Sequence, residues 1–117
     1  MSFEQALAPI RECRGVIATA IADRDGIPVV SLGGSRDQVE EVVAEFSTFL
    51  REVTSANREL QLGDLEQVAV HGTDRSVVLT TITDEYFLMT VVERNGNPGK
   101  ARFASRLAAF RLRREFL

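Results

Sequence analysis

Residues 36–60 hold one continuous apolar stripe, and that stripe limits the folds open to the chain. Val39, Val42, Phe46, Phe49, Val53, Ala56 and Leu60 recur at alternating steps of three and four, the spacing of one helix face. Val43 and Leu50 widen the stripe on one side, and charged residues from Asp37 to Glu59 occupy most of the opposite face. Ser35 followed by Gln38 is a capping-box pattern that starts the helix. A helix over 36–60 spans roughly 37 Å, whereas five paired strands side by side cover about 24 Å. Such a helix overhangs its own sheet or needs a second surface. Two readings stay open from periodicity alone. The whole stripe can lie on the chain's own sheet, or the part around Val43 and Leu50 can face a partner while Val39, Phe46 and Val53 face the sheet. A large apolar side chain left in water forgoes about 1.5–3 kcal/mol, and a symmetric copy is the commonest way to recover it.

Turn sequences divide the rest of the chain: Asp23-Arg24-Asp25-Gly26, Gly33-Gly34-Ser35, Gly63-Asp64, Gly72-Thr73-Asp74, Thr83-Asp84-Glu85 and Asn95-Gly96-Asn97-Pro98-Gly99. Residues 2–13 read as a short helix capped by Ser2 and Gln5, with Phe3, Leu7 and Ile10 on one face and Pro9 as an internal departure. Residues 15–22 and 27–32 are β-branched strands joined as a hairpin. Pro28 cannot donate to a ladder, which places 27–32 at a sheet edge. Residues 65–71, 76–82 and 86–93 form an antiparallel meander. A closing helix begins at Pro98, with Phe103, Leu107 and Phe110 as its expected buried stripe. The order is α-β-β-α-β-β-β-α: an α+β single domain over residues 1–117, with one five-stranded antiparallel sheet and helices packed on it.

Chemistry is sparse. One cysteine, Cys13, and one histidine, His71, cannot make a disulfide or a Cys/His zinc cluster. A lone strand-end histidine is more often solvated or packed than catalytic. Asp23-Arg24-Asp25-Gly26 lacks the later ligands of a calcium loop. Gly33-Gly34-Ser35 has no following Gly-Lys-Ser/Thr, so it is a link and a cap rather than a nucleotide cradle. No catalytic residue and no cofactor are expected. The net charge is −3, which argues against a nucleic-acid partner. The basic closing helix is read as a solvated face, because Phe103 and Phe110 are assigned to the core. No apolar run suits a membrane span or a signal peptide, so no membrane partner is expected and the chain is placed in the cytoplasm.

The run from Gly15-Val16-Ile17-Ala18 through Asp23-Arg24-Asp25-Gly26-Ile27-Pro28-Val29 resembles the opening hairpin of Roadblock/dynein-light-chain domains. The long helix, the meander and the closing helix entered through Asn97-Pro98-Gly99 with Arg102 are similar as well. The resemblance covers essentially the whole chain. It implies the Roadblock, profilin-like architecture and a homodimer in which the 65–71 strands pair into a continuous ten-stranded sheet. It also implies that the two long helices lie antiparallel on one face. With that resemblance, the expected dimer residues are Val43, Phe46, Leu50, Leu65, Gln67, Ala69 and His71. Family members bind Ras-like small GTPases or act as scaffolds, and bacterial members include the regulator of the gliding-motility GTPase. The function implied is a non-enzymatic regulator or adaptor of a Ras-like GTPase. A passive scaffold subunit of a motor or two-component complex and a small-molecule sensor are the alternatives. The expected partner-facing residues are Glu41, Glu45, Thr48, Arg51, Glu52 and Ser55.

Overall fold

The computed structural model describes residues 2–116. Helix α1 (Phe3–Arg11) leads into strands β1 (Val16–Asp23) and β2 (Pro28–Leu32), then helix α2 (Arg36–Glu59). Strands β3 (Gln67–His71), β4 (Arg75–Thr81) and β5 (Tyr86–Glu93) follow, and helix α3 (Pro98–Leu112) runs into a 3-10 turn at Arg113–Glu115. Both capping boxes form. Ser2 Oγ accepts from the Gln5 amide, Ser35 Oγ accepts from the Gln38 amide, and each glutamine side chain returns a bond to its cap. Helix α1 runs through Pro9, which lies on its exposed side while Leu7 and Ile10 point inward.

The strands form one antiparallel sheet in the order β2-β1-β5-β4-β3. The β2 strand is an edge, as Pro28 requires, and β3 is the other. Two cores lie on opposite sheet faces. On one side α2 covers Ala18, Ala20 and Ala22 of β1 and Phe87, Met89 and Val91 of β5. The three alanines keep that surface low, so the helix lies close to it. On the other side α1 and α3 cover Val16, Ile21, Leu88 and Val92. Alternation along β5 separates the faces. On β1 a register shift between Val16 and Ala18 brings Val16 into phase with Ile21.

Two assignments of helix faces are corrected. The α2 row against the sheet is Val39, Val43, Ser47 and Leu50, with Val43 and Leu50 wholly buried. Neither has surface left for a partner, so the expectation that they meet one does not hold. Phe46 and Val53, expected to point at the sheet, sit on the flank and are only half-buried. In α3 the buried row is Ala101, Ser105, Ala108, Ala109 and Leu112. Phe103, Leu107 and Phe110 are 70%, 41% and 59% exposed, the reverse of the expected stripe. Small residues let α3 approach the sheet closely enough for Ser105 to reach a buried hydroxyl row. Thr19 Oγ1 lies 2.9 Å from Thr90 Oγ1, and Thr90 Oγ1 lies 3.5 Å from Ser105 Oγ. Phenylalanines on that face would hold the helix off the sheet and break the Thr90–Ser105 contact.

Candidate functional site

The β3 edge meets the flank of α2, and the two surfaces are of different kinds. Pairing runs Gln67↔Thr80, Val68↔Leu79, Ala69↔Val78, Val70↔Val77 and His71↔Ser76. The Thr81 amide donates to the Glu66 carbonyl, and the Gly72 amide donates to the Arg75 carbonyl. Antiparallel ladders alternate bonded and non-bonded pairs. Residues 66, 68, 70 and 72 therefore spend their backbone groups on β4, and the backbone groups of Gln67, Ala69 and His71 point outward from the sheet. Those are three of the expected dimer residues. Their side chains lie on the α3 face. Gln67 Nε2 donates to Thr80 Oγ1 at 2.9 Å and to the Arg102 carbonyl at 3.0 Å, and His71 Nδ1 lies 2.9 Å from Ser76 Oγ. Leu65 lies just ahead of the strand, which begins at Gln67 rather than 65, and is half-buried.

On the other face, α2 leans toward β1 and β2 and leaves the β3 side partly bare. Val42, Phe46 and Phe49 on the helix flank and Leu65, Val68 and Val77 near the edge form a half-buried apolar band. Phe46 and Phe49 pack edge to face, with ring centres 6.0 Å apart. Sequence reasoning singled out Phe46 but gave Val42 and Phe49 no interface role. They belong to the stripe it identified, but its sheet-facing phase had to be known to separate them from Val43 and Leu50.

The six expected partner-facing residues are all exposed on α2, but they divide. Thr48, Arg51, Glu52 and Ser55 line one open cavity of about 720 Å³ together with Arg24, Thr54, Arg58 and Asp84. Glu41 borders a smaller cavity of about 260 Å³, with Gln38, Val42 and Arg75. Glu45 lines neither of these. Gly26, at φ +87°, lets the β1–β2 turn reach the helix, since a Cβ there would sit 2.8 Å from Ser47 Oγ. The turn delivers Arg24, whose amide donates to the Glu85 carbonyl and whose Nη2 donates to the Thr83 carbonyl at 3.2 Å. Arg24 Nε is buried and has no partner among the described residues. Burial pushes the Arg24 guanidinium below its ordinary pKa. Asp84 opposes that shift and Arg58 adds to it. Arg58 in turn reaches Asp64 at 3.4 Å and Asp84 at 3.3 Å. Arg24, Arg58 and Asp84 were missed because the sequence marks their segments only as a turn, a helix face and another turn. The pairing of β1 with β5 is what sets the two turns side by side.

The geometry offers an open strand edge, an apolar band and a charged recess. Among the described residues no three His, Cys, Asp or Glu side chains converge as a metal site, and no helix is long and apolar enough to cross a membrane. Cys13 Sγ lies 3.5 Å from the Pro9 carbonyl on the far side of the sheet.

Comparison with known proteins agrees with this architecture. The Roadblock/LC7 domain family matches residues 2–93. A Roadblock/LC7 domain from Streptomyces avermitilis superposes with a TM-score of 0.84 at 15% identity, covering 93% of this chain and 92% of that one. The gliding protein MglB from Thermus thermophilus gives 0.85 at 12% identity, covering 96% and 86%. MglC from Myxococcus xanthus gives 0.68 at 24% identity, covering 98% and 99%. No curated protein matches the chain. The fold and the family match together show that this chain belongs to the Roadblock/LC7 domain family.

Proposed function

We propose that the chain is a homodimeric, non-enzymatic regulator or adaptor of a Ras-like small GTPase, acting in the cytoplasm. The observation that carries this reading is the outward-pointing backbone of Gln67, Ala69 and His71 beside the half-covered band of Val42, Phe46, Phe49 and Val68. A bare strand edge next to bare apolar surface invites a second strand and a second helix. Two copies pairing along β3 make a ten-stranded sheet, and each α2 covers the band its partner leaves open. The interface then uses Phe46, Leu65, Gln67, Ala69 and His71, with Val42 and Phe49 in the places first given to Val43 and Leu50. The recess of Thr48, Arg51, Glu52 and Ser55 stays exposed for the GTPase, with Glu41 and Glu45 farther along the helix.

Membership of the Roadblock/LC7 family and the shared fold with gliding proteins support the regulatory role. The dimer modulates GTP hydrolysis or exchange without donating a catalytic residue. The test is GTP turnover and nucleotide release by a Ras-like GTPase, measured with and without this protein. A changed rate supports regulation. Binding that depends on nucleotide state with no rate change makes the chain a passive scaffold. No binding in either nucleotide state overturns the reading.

A further inference from the structure

The largest apolar side chains exposed on this molecule include Phe103 and Phe110, and they lie on one line of α3. With Leu107 they sit at steps of four and three along the outer crest of the helix, opposite the buried Ala101, Ser105, Ala108 and Leu112. Helical geometry places Lys100 and Arg111 on one flank of that crest and Arg102 and Arg106 on the other; Arg113, just past the helix, donates instead to the Ile82 carbonyl at 2.9 Å. Residues 94–114 contain no acidic side chain. Glu66 lies 4.0 Å from Arg106, and Glu115 follows in the 3-10 turn at the end of the helix. Acidic residues collect instead on α2, including Asp37, Glu40, Glu41 and Glu45, across the sheet from α3.

We infer that α3 is a surface for anionic lipid bilayers, with Phe103, Leu107 and Phe110 entering the headgroup–acyl boundary and the flanking cations meeting lipid phosphates and carboxylates. An apolar crest with cations on both sides is the pattern of an interfacial helix. A protein partner of ordinary stability needs about 800 Å² on each side and a packed centre. Phe103, Leu107 and Phe110 border an open cleft of about 340 Å³ with Glu66 and Thr80; three side chains do not supply that area, and such a partner would need acids along both flanks. A bilayer with anionic headgroups offers negative charge on both sides at once. The segregated charge orients the molecule, with α3 toward the lipid and α2 away from it. The expectation of no membrane partner rests on the lack of a spanning run, and the solvated reading of this helix rests on placing Phe103 and Phe110 in the core, whereas both are exposed. The inference does not rest on the GTPase reading, because its test contains no GTPase.

The test is sedimentation of the full chain with vesicles of phosphatidylcholine alone and of equal parts phosphatidylcholine and phosphatidylserine, at low and high salt. The expected result is pelleting with the mixed vesicles at low salt, little with phosphatidylcholine, and release by salt. The double variant Phe103→Ser, Phe110→Ser melts like the parent protein, since both side chains are exposed, and binds mixed vesicles at least about tenfold more weakly. Arg106→Gln with Arg111→Gln weakens binding by a similar factor. A protein that stays in the supernatant with mixed vesicles overturns the inference and leaves the crest to a protein partner. Undiminished binding of the serine variant also overturns it, because charge alone would then account for the attachment.

Discussion

Arg51 Nη1 on α2 donates a hydrogen bond to the backbone carbonyl of Arg24 at 3.2 Å. That bond ties the β1–β2 turn to the helix and places two guanidinium groups on the wall of one recess. Because Arg51 is exposed, the bond contributes about 1 kcal/mol or less to the fold. Its larger role is to shape the surface that a partner meets.

Reversing charge along the exposed face of α2 separates partner binding from folding. Arg51→Glu combined with Glu45→Arg is expected to weaken nucleotide-dependent GTPase binding at least about tenfold. The dimer should persist, since neither side chain belongs to the apolar band. Calorimetric titration reads the first effect and sedimentation the second. Unchanged affinity would place the GTPase elsewhere on the molecule.

Leu50→Ala and Phe46→Ala should fail in different ways. Leu50 is wholly buried between α2 and the sheet, so its truncation leaves a cavity and costs about 2–5 kcal/mol. Phe46 is half-buried on the band, so its truncation costs the isolated chain less and loosens the dimer more. Denaturant titrations at low and high protein concentration distinguish the two. The Leu50 loss is present at both, and the Phe46 loss grows where the parent protein is dimeric.

The contrast between these neighbouring residues shows what periodicity can and cannot settle. The stripe on α2, its capping box and the element order are all legible, because they depend on local spacing. Which edge of the stripe meets the sheet is not, because the sheet beneath is floored by Ala18, Ala20 and Ala22 and admits the row containing Val43 and Leu50. The same blindness inverted α3. Large apolar residues drew attention, while the row that packs is built from Ala101, Ser105 and Ala108, small residues chosen by close approach to Thr90. For the site, the role of the 65–71 strand is what the family resemblance implies, and which of its residues turn their backbone outward follows only from the register with β4. Arg24 was not legible, because its contacts depend on which strands pair.

Ser35 should be worth about 1 kcal/mol as the cap of α2. Its Oγ accepts from the Gln38 amide at 3.2 Å, and Gln38 Oε1 accepts from the Ser35 amide at 3.4 Å. Ser35→Ala removes the first bond and is expected to lower thermal stability by a few degrees. Ser35→Asn, which can also cap, should retain most of it. A melt of the alanine variant that matches the parent would show that tertiary packing alone holds this end of the helix.

Self-pairing through β3 is the claim on which the interface, the ten-stranded sheet and the exposed recess all depend. Ala69 is the central residue whose amide faces away from β4, so Ala69→Pro removes an outward donor without taking a bond from the chain's own ladder. Sedimentation equilibrium over a range of concentrations is the most direct test. The parent protein should weigh about twice the 13.0 kDa of one chain, and the proline variant should sediment as a folded single chain. A parent protein that stays at 13.0 kDa at the highest concentration, or a folded proline variant that still dimerises fully, would contradict it.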